Sequence, residues 1–187
     1  ALILLGVRYD SEAALDWAGR ISSFLTDTAH KASEELSAVR GSFPAWAGST
    51  WDTRHHRPMR NATCTTIAPT GSISIIAGCS SGIEPIFALA SRRTALDGHK
   101  FVALHALLEE LGKRNRWLTQ HIRRELLQGK APRDIRGFPK DLANLLVTAH
   151  EVSPDQHVRV QAAFQRHIDN AISKTVNIPA EYPFDDF

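Results

Sequence analysis

Apolar residues recur at Ala14, Trp17, Ala18, Ile21, Leu25, Ala29, Ala32 and Leu36, at spacings of three and four. That period puts them along one side of a helix. The pattern predicts one long amphipathic helix, opened by the polar acceptors of Asp10-Ser11-Glu12 and ended by Gly41. Ahead of it, residues 1–9 read as a buried strand or the end of a core element. Residues 42–60 hold Pro44, Gly48, Pro58, two Trp and the pair His55-His56 without a helical period, which predicts an irregular loop that packs aromatics. Residues 62–68 are Thr-rich and bounded by Asn61 and Pro69, so they predict a strand. Thr70-Gly71-Ser72 follows, and Ile73, Ile75, Ile76 and Ala77 predict a short buried helix. Gly78 to Gly82 reads as a turn, and Pro85 reopens an apolar run through Leu89.

From 99 to 150 the period is helical but interrupted. Phe101, Leu104, Leu107, Leu108 and Leu111 form one face, Leu118, Ile122, Leu126 and Leu127 a second, and Leu142, Leu145, Leu146 and Ala149 a third. Ser153-Pro154-Asp155-Gln156 has the form of a capping box with Pro at the first helical position. The helix it opens is expected to run to about Ser173, and residues 175–179 to form a strand. The sum is a mostly helical α/β piece with too few strands to close a sheet.

Composition narrows the function classes. The chain has 187 residues, 43% hydrophobic and 22% charged, with a net charge of +2, which is that of an ordinary folded protein rather than a disordered one. Two Cys cannot staple a chain of this length. No apolar run reaches the ~18 residues of a membrane span, and the charge gives no strong basic field for nucleic acid. The chain starts at Ala1 within an apolar run, so it is expected to be a fragment of something larger.

Candidate chemistry concentrates at Ala68-Pro69-Thr70-Gly71-Ser72-Ile73. There a strand is expected to end and a helix to begin, and the first amides of a helix carry partial positive charge with no partner inside it. Gly71 admits a ligand to the backbone and the Thr and Ser hydroxyls add donors, which makes a phosphate cradle. A plain strand-to-helix turn with a Thr/Ser cap is the other reading. No Gly-Lys-Ser/Thr follows, so the segment is not a P-loop. Cys64 and Cys79 have no His close in sequence, and the nine His show no zinc spacing, so no metal site is expected. The basic clusters near Arg92, Lys113 and Arg123 read as solvated helix faces.

Three stretches carry a resemblance. Arg60-Asn61-Ala62-Thr63 with Thr66 to Ser74 and Ala77-Gly78-Cys79-Ser80-Ser81-Gly82-Ile83-Glu84-Pro85 resembles the C-terminal part of the catalytic barrel of adenosylcobalamin-dependent (class II) ribonucleotide reductases. The stretch from Val158 to Gln165, with Asp169 to Pro179, is similar to that family's last barrel helix and strand. Tyr9-Asp10-Ser11 to Phe43-Pro44 also fits.

The resemblance implies that residues 1–187 supply the closing portion of a ten-stranded α/β barrel. It implies that Ala68, Pro69, Thr70, Gly71, Ser72 and Ile73 hold the phosphates of a ribonucleotide substrate. The implied reaction replaces the ribose 2′-hydroxyl by hydrogen through a thiyl radical started by adenosylcobalamin, in the cytoplasm. The cofactor is expected to be held by the whole enzyme rather than by this chain. The family's radical Cys lies in Asn-x-Cys-x-Glu, and neither Cys64 nor Cys79 is so flanked, so no catalytic residue is expected here. Expected partners are the substrate and the remainder of the barrel, and the isolated chain is expected to cover its open sheet edges by oligomerising or to be marginally stable; nucleic acid and membrane are not expected. The rival readings are a non-catalytic helical binding or regulatory module and a free-standing phosphate-ligand binder.

Overall fold

The computed structural model describes residues 1–94, 100–178 and 183. Its longest element is helix α1, Glu12–Arg40, where the sequence pattern places it. Ser11 Oγ accepts from the Ala14 N–H at 3.2 Å, and Gly41, at φ 75°, ends the helix with its N–H on the Ser37 carbonyl at 2.8 Å. The buried stripe differs from the predicted one. It runs through Ala14, Ala18, Ser22, Thr26, Ser33 and Ser37, while Phe24 and Leu25 are 70% and 53% exposed. Hydroxyl chemistry explains the rotation. Thr26 meets the Thr65 hydroxyl at 3.1 Å, Ser33 donates to Asn61 at 3.1 Å and Ser37 donates to the Pro58 carbonyl at 2.9 Å, so α1 is bound to residues 58–65 by its small polar side.

Residues 42–60 are irregular as expected, apart from one turn of helix α2, Thr50–Thr53. Helix α3, Gly71–Ala77, follows the Gly-containing turn, but its isoleucines are not buried. Ile73, Ile75 and Ile76 are 62%, 64% and 86% exposed, and Ser74 is the buried member of the helix. Nothing among the described residues packs on that apolar side.

Two expected strands are corrected. Residues 62–68 and 175–178 form no ladder; their neighbourhood holds one parallel bridge, Ile67 with Ile172. Position 179 lies outside the described residues. Extended residues become a strand only where a partner runs alongside, and residues 62–68 meet residues 171–173 at that one bridge, ahead of the 175–178 segment. The sheet lies elsewhere. β1, Ala90–Thr94, pairs antiparallel with β2, Lys100–Leu104, in the register Ala90 to Leu104. Phe101 and Leu104 therefore stand in a strand and not on the predicted helical face, because His105 caps helix α4, Ala106–Arg114, by accepting from the Leu107 N–H.

Helices α5, Gln120–Leu127, and α6, Lys140–Leu145, complete a small core with the hairpin. Ile86, Leu104, Leu108, Ile122, Leu126, Ile135, Phe138 and Leu146 form it. Helix α7, Pro154–Gln165, packs on α1. Ser153 Oγ accepts from the Gln156 N–H at 3.2 Å, as the capping pattern predicts. The helix stops eight positions before Ser173, because Gln165 donates to the Ile168 and Asn170 carbonyls and residues 169–173 turn aside to meet residues 64–67.

Candidate functional site

The predicted phosphate turn lies at the start of α3. Thr70 is the residue before the helix, and its hydroxyl does not cap it. Instead Thr70 Oγ1 accepts from the Gly82 N–H at 3.0 Å and lies 3.0 Å from Ser81 Oγ. The first helix amide with an acceptor is that of Ser74, on the Thr70 carbonyl at 2.9 Å. The N–H groups of Gly71, Ser72 and Ile73 have no protein acceptor among the described residues, and all three residues are exposed. A Cβ built on Gly71 meets nothing within 4 Å, so the space beside these amides is open. Three neighbouring free donors at a helix start can receive the oxygens of one anion.

Behind the turn lies a buried polar network that the sequence reading did not assign. Lys174, with a fully buried side chain, reaches Glu84 Oε2 at 2.7 Å and His157 Nδ1 at 2.8 Å, and also donates to the Thr175 carbonyl. Glu84 Oε1 accepts from the Thr175 N–H at 2.7 Å, and His157 Nε2 donates to the Ala149 carbonyl at 3.0 Å. Those partners fix His157 as the neutral ring protonated at Nε2. Burial lowers the Lys174 pKa and the Glu84 carboxylate restores part of it; burial likewise lowers that of His157. Tyr9 donates to the Ile83 carbonyl at 2.7 Å, and burial followed by the Glu84 charge holds its phenol protonated far above the usual range. The network ties residues 83–84 to α7 and to residues 174–175. Residues 81–82 in turn hold Thr70. The signal for it was present in Gly82-Ile83-Glu84-Pro85 and Ser173-Lys174-Thr175, stretches that carry the family resemblance.

A second polar junction lies on the far side of the 61–67 segment. Asp169 Oδ2 accepts from the Cys64 N–H at 2.6 Å and the Thr65 N–H at 3.3 Å, and His30 Nε2 lies 2.8 Å from Oδ1. Trp51 stands edge-on to the His30 ring, centroids 4.9 Å apart. Burial raises the Cys64 thiol pKa, with the Asp169 charge adding to it against a hydrogen bond from Ser33. Cys79 is exposed just beyond α3, and both thiols are free.

The chain matches the family described as "Ribonucleotide reductase, barrel domain" over residues 1–57 and 52–187. The chain belongs to the ribonucleotide reductase barrel-domain family. It is 43% identical over 180 residues to the vitamin B12-dependent ribonucleoside-diphosphate reductase of Thermoplasma acidophilum, covering 96% of this chain and 23% of that protein. It is 40% identical over 187 residues to the enzyme of the same name from Mycobacterium tuberculosis, covering 99% of this chain and 26% of that one. The chain thus spans about a quarter of the length of the curated relatives it matches. Its fold is similar to the alpha subunit of the Actinobacillus ureae class Id ribonucleotide reductase, with a TM-score of 0.70 at 23% identity over 90% of this chain and 29% of that one. A piece of a reductase barrel, about half helical with few strands, is therefore the architecture, and membership of that barrel is what the resemblance implied. Among the described residues no helix is long and apolar enough to cross a membrane.

Proposed function

We propose that the whole protein is an adenosylcobalamin-dependent ribonucleotide reductase of the cytoplasm, and that Ala68, Pro69, Thr70, Gly71, Ser72 and Ile73 of this chain hold the phosphates of its substrate. The observation that supports this reading is the set of exposed, unpartnered amides at Gly71, Ser72 and Ile73. Relatives at 40% and 43% identity are named vitamin B12-dependent, and the adenosyl form is this reading's own step. Cobalamin supplies the radical that starts the chemistry in such an enzyme. Its seat is assigned to the whole enzyme, and neither the apolar pocket between the N-terminal turn, α1 and residues 82–86 nor the open cleft between α1 and α7 is given to it. This chain's part is to bind: three backbone donors orient the phosphates, and the Glu84–Lys174 pair braces the turn that holds Thr70 in place.

The exposed apolar sides of α1 and α3 fit the same reading, because a complete barrel has further elements to lay against them. The test is deoxynucleotide formation by the whole protein with adenosylcobalamin and a dithiol, beside Gly71→Val. The new side chain enters open space, so folding is unaffected, but it blocks approach to the amides. Charge-assisted hydrogen bonds each contribute about 1.5–3 kcal/mol, so substrate KM should rise at least about tenfold. An unchanged KM sinks the assignment of the turn.

A further inference from the structure

We propose that His30 Nε2, Cys64 Sγ and one carboxylate oxygen of Asp169 form a binding site for a single divalent ion of the zinc class, completed by solvent. The three donor atoms lie within 4.8 Å of one another and come from three parts of the fold: α1, the segment before α3 and the segment after α7. Nitrogen, sulfur and oxygen together are a donor set for a borderline-soft ion and not for magnesium or calcium, which take oxygen.

The donor atoms are within about an ångström of the spacing such an ion needs. A tetrahedral ion with bonds of about 2.0–2.3 Å holds its donors about 3.3–3.8 Å apart. His30 Nε2 and Asp169 Oδ1, now 2.8 Å apart, have to open by about half an ångström. The supporting contacts are already made. Asp169 Oδ2 stays on the Cys64 and Thr65 amides, which leaves Oδ1 facing the imidazole and free to ligate. Trp51 fixes the His30 ring by its edge contact, and donates its own indole N–H to the Ala62 carbonyl at 2.8 Å. Outer contacts of this kind hold ligands in place in metal sites. All three residues are half-buried, so water reaches the fourth position. Charge also balances: a thiolate and a carboxylate neutralise a divalent cation. Binding forms ion bonds to sulfur, nitrogen and oxygen: the Cys64 S–H proton passes to solvent, and the Nε2–H that His30 gives to Asp169 is lost to solvent while the neutral ring takes its proton at Nδ1. The site lies apart from the phosphate turn, so its ion would fasten α1 to residues 64 and 169 rather than touch substrate.

The experiment uses chelator-treated, corrinoid-free protein titrated with cobalt(II), whose thiolate complexes absorb by charge transfer. One cobalt per chain should bind with a charge-transfer band, and zinc should abolish it by displacement. Cys79→Ser should keep the band. Cys64→Ala should lose it, and so should His30→Gln, which still offers an amide donor to Asp169. Mass spectrometry after alkylation provides a reading without any variant: zinc should shield Cys64 and leave Cys79 reactive. Absence of a Cys64-dependent band, a band that survives Cys64→Ala, or alkylation of Cys64 unaffected by zinc would overturn the proposal.

Discussion

Replacing Lys174 by Met leaves the Glu84 carboxylate without its cation in a site where the lysine side chain is fully buried. Breaking a buried ion pair from one side costs about 3–5 kcal/mol. Glu84 keeps 24% of its side-chain exposure, so water relieves part of the orphaned charge and the low end, about 3 kcal/mol, is expected. Removing both charges, as Glu84→Met with Lys174→Met, should return most of that loss. A residue of about 1 kcal/mol should remain, because the Thr175 N–H loses its acceptor. Urea unfolding of the single and double variants gives both numbers. The pH dependence follows from the sign of the shift. Burial puts the folded Lys174 pKa below the ordinary 10.5, so between those two values the unfolded chain holds more protons. Stability should therefore rise with pH across that alkaline window in the intact protein, and Lys174→Met should lack the rise. A single variant that costs under about 1 kcal/mol, or a double variant as unstable as the single, would refute the claim that an ion pair braces this turn.

Two further outcomes are expected. A Cβ on Gly112 would lie 2.4 Å from Leu118 Cβ, so Gly112→Ala should force α4 away from residue 118 and lower stability by about 1–3 kcal/mol, read from the unfolding midpoint. The 187-residue chain by itself should form no deoxynucleotide with adenosylcobalamin and a dithiol, since the proposed chemistry takes a thiyl radical and two reducing thiols, three cysteines where the chain has two; turnover dependent on Cys64 or Cys79 would place the radical chemistry in this chain.

What the sequence made legible was what local chemistry decides. α1 and α7 begin at Ser11 and Ser153 because each hydroxyl caps its own first turn, and α1 ends at a glycine with positive φ. Partners distant in sequence decided the rest. Which face of α1 is buried beyond Ala18 depends on hydroxyl contacts to residues 58–65; hydrophobicity placed Ala14 and Ala18 on the buried side but Ile21, Leu25 and Leu36 there too, and these are exposed. Residues 62–68 have strand composition but meet residues 171–173 at one bridge. Phe101 and Leu104 satisfy a helical spacing and a strand equally well until His105 starts α4. The proposed phosphate turn stands out as a candidate in the sequence because its residues are contiguous, whereas Glu84 and Lys174, 90 positions apart, and Asp169 with Cys64, 105 apart, meet only in the fold.

The central claim is that the turn at residues 68–73 receives substrate phosphates, and a crystal structure of the whole protein with a ribonucleoside diphosphate tests it most directly. The account predicts phosphate oxygens within hydrogen-bond distance of the Gly71, Ser72 and Ile73 amides, with Thr70 Oγ1 still holding the Gly82 N–H. Phosphates bound elsewhere, with those three amides facing only water, would contradict it.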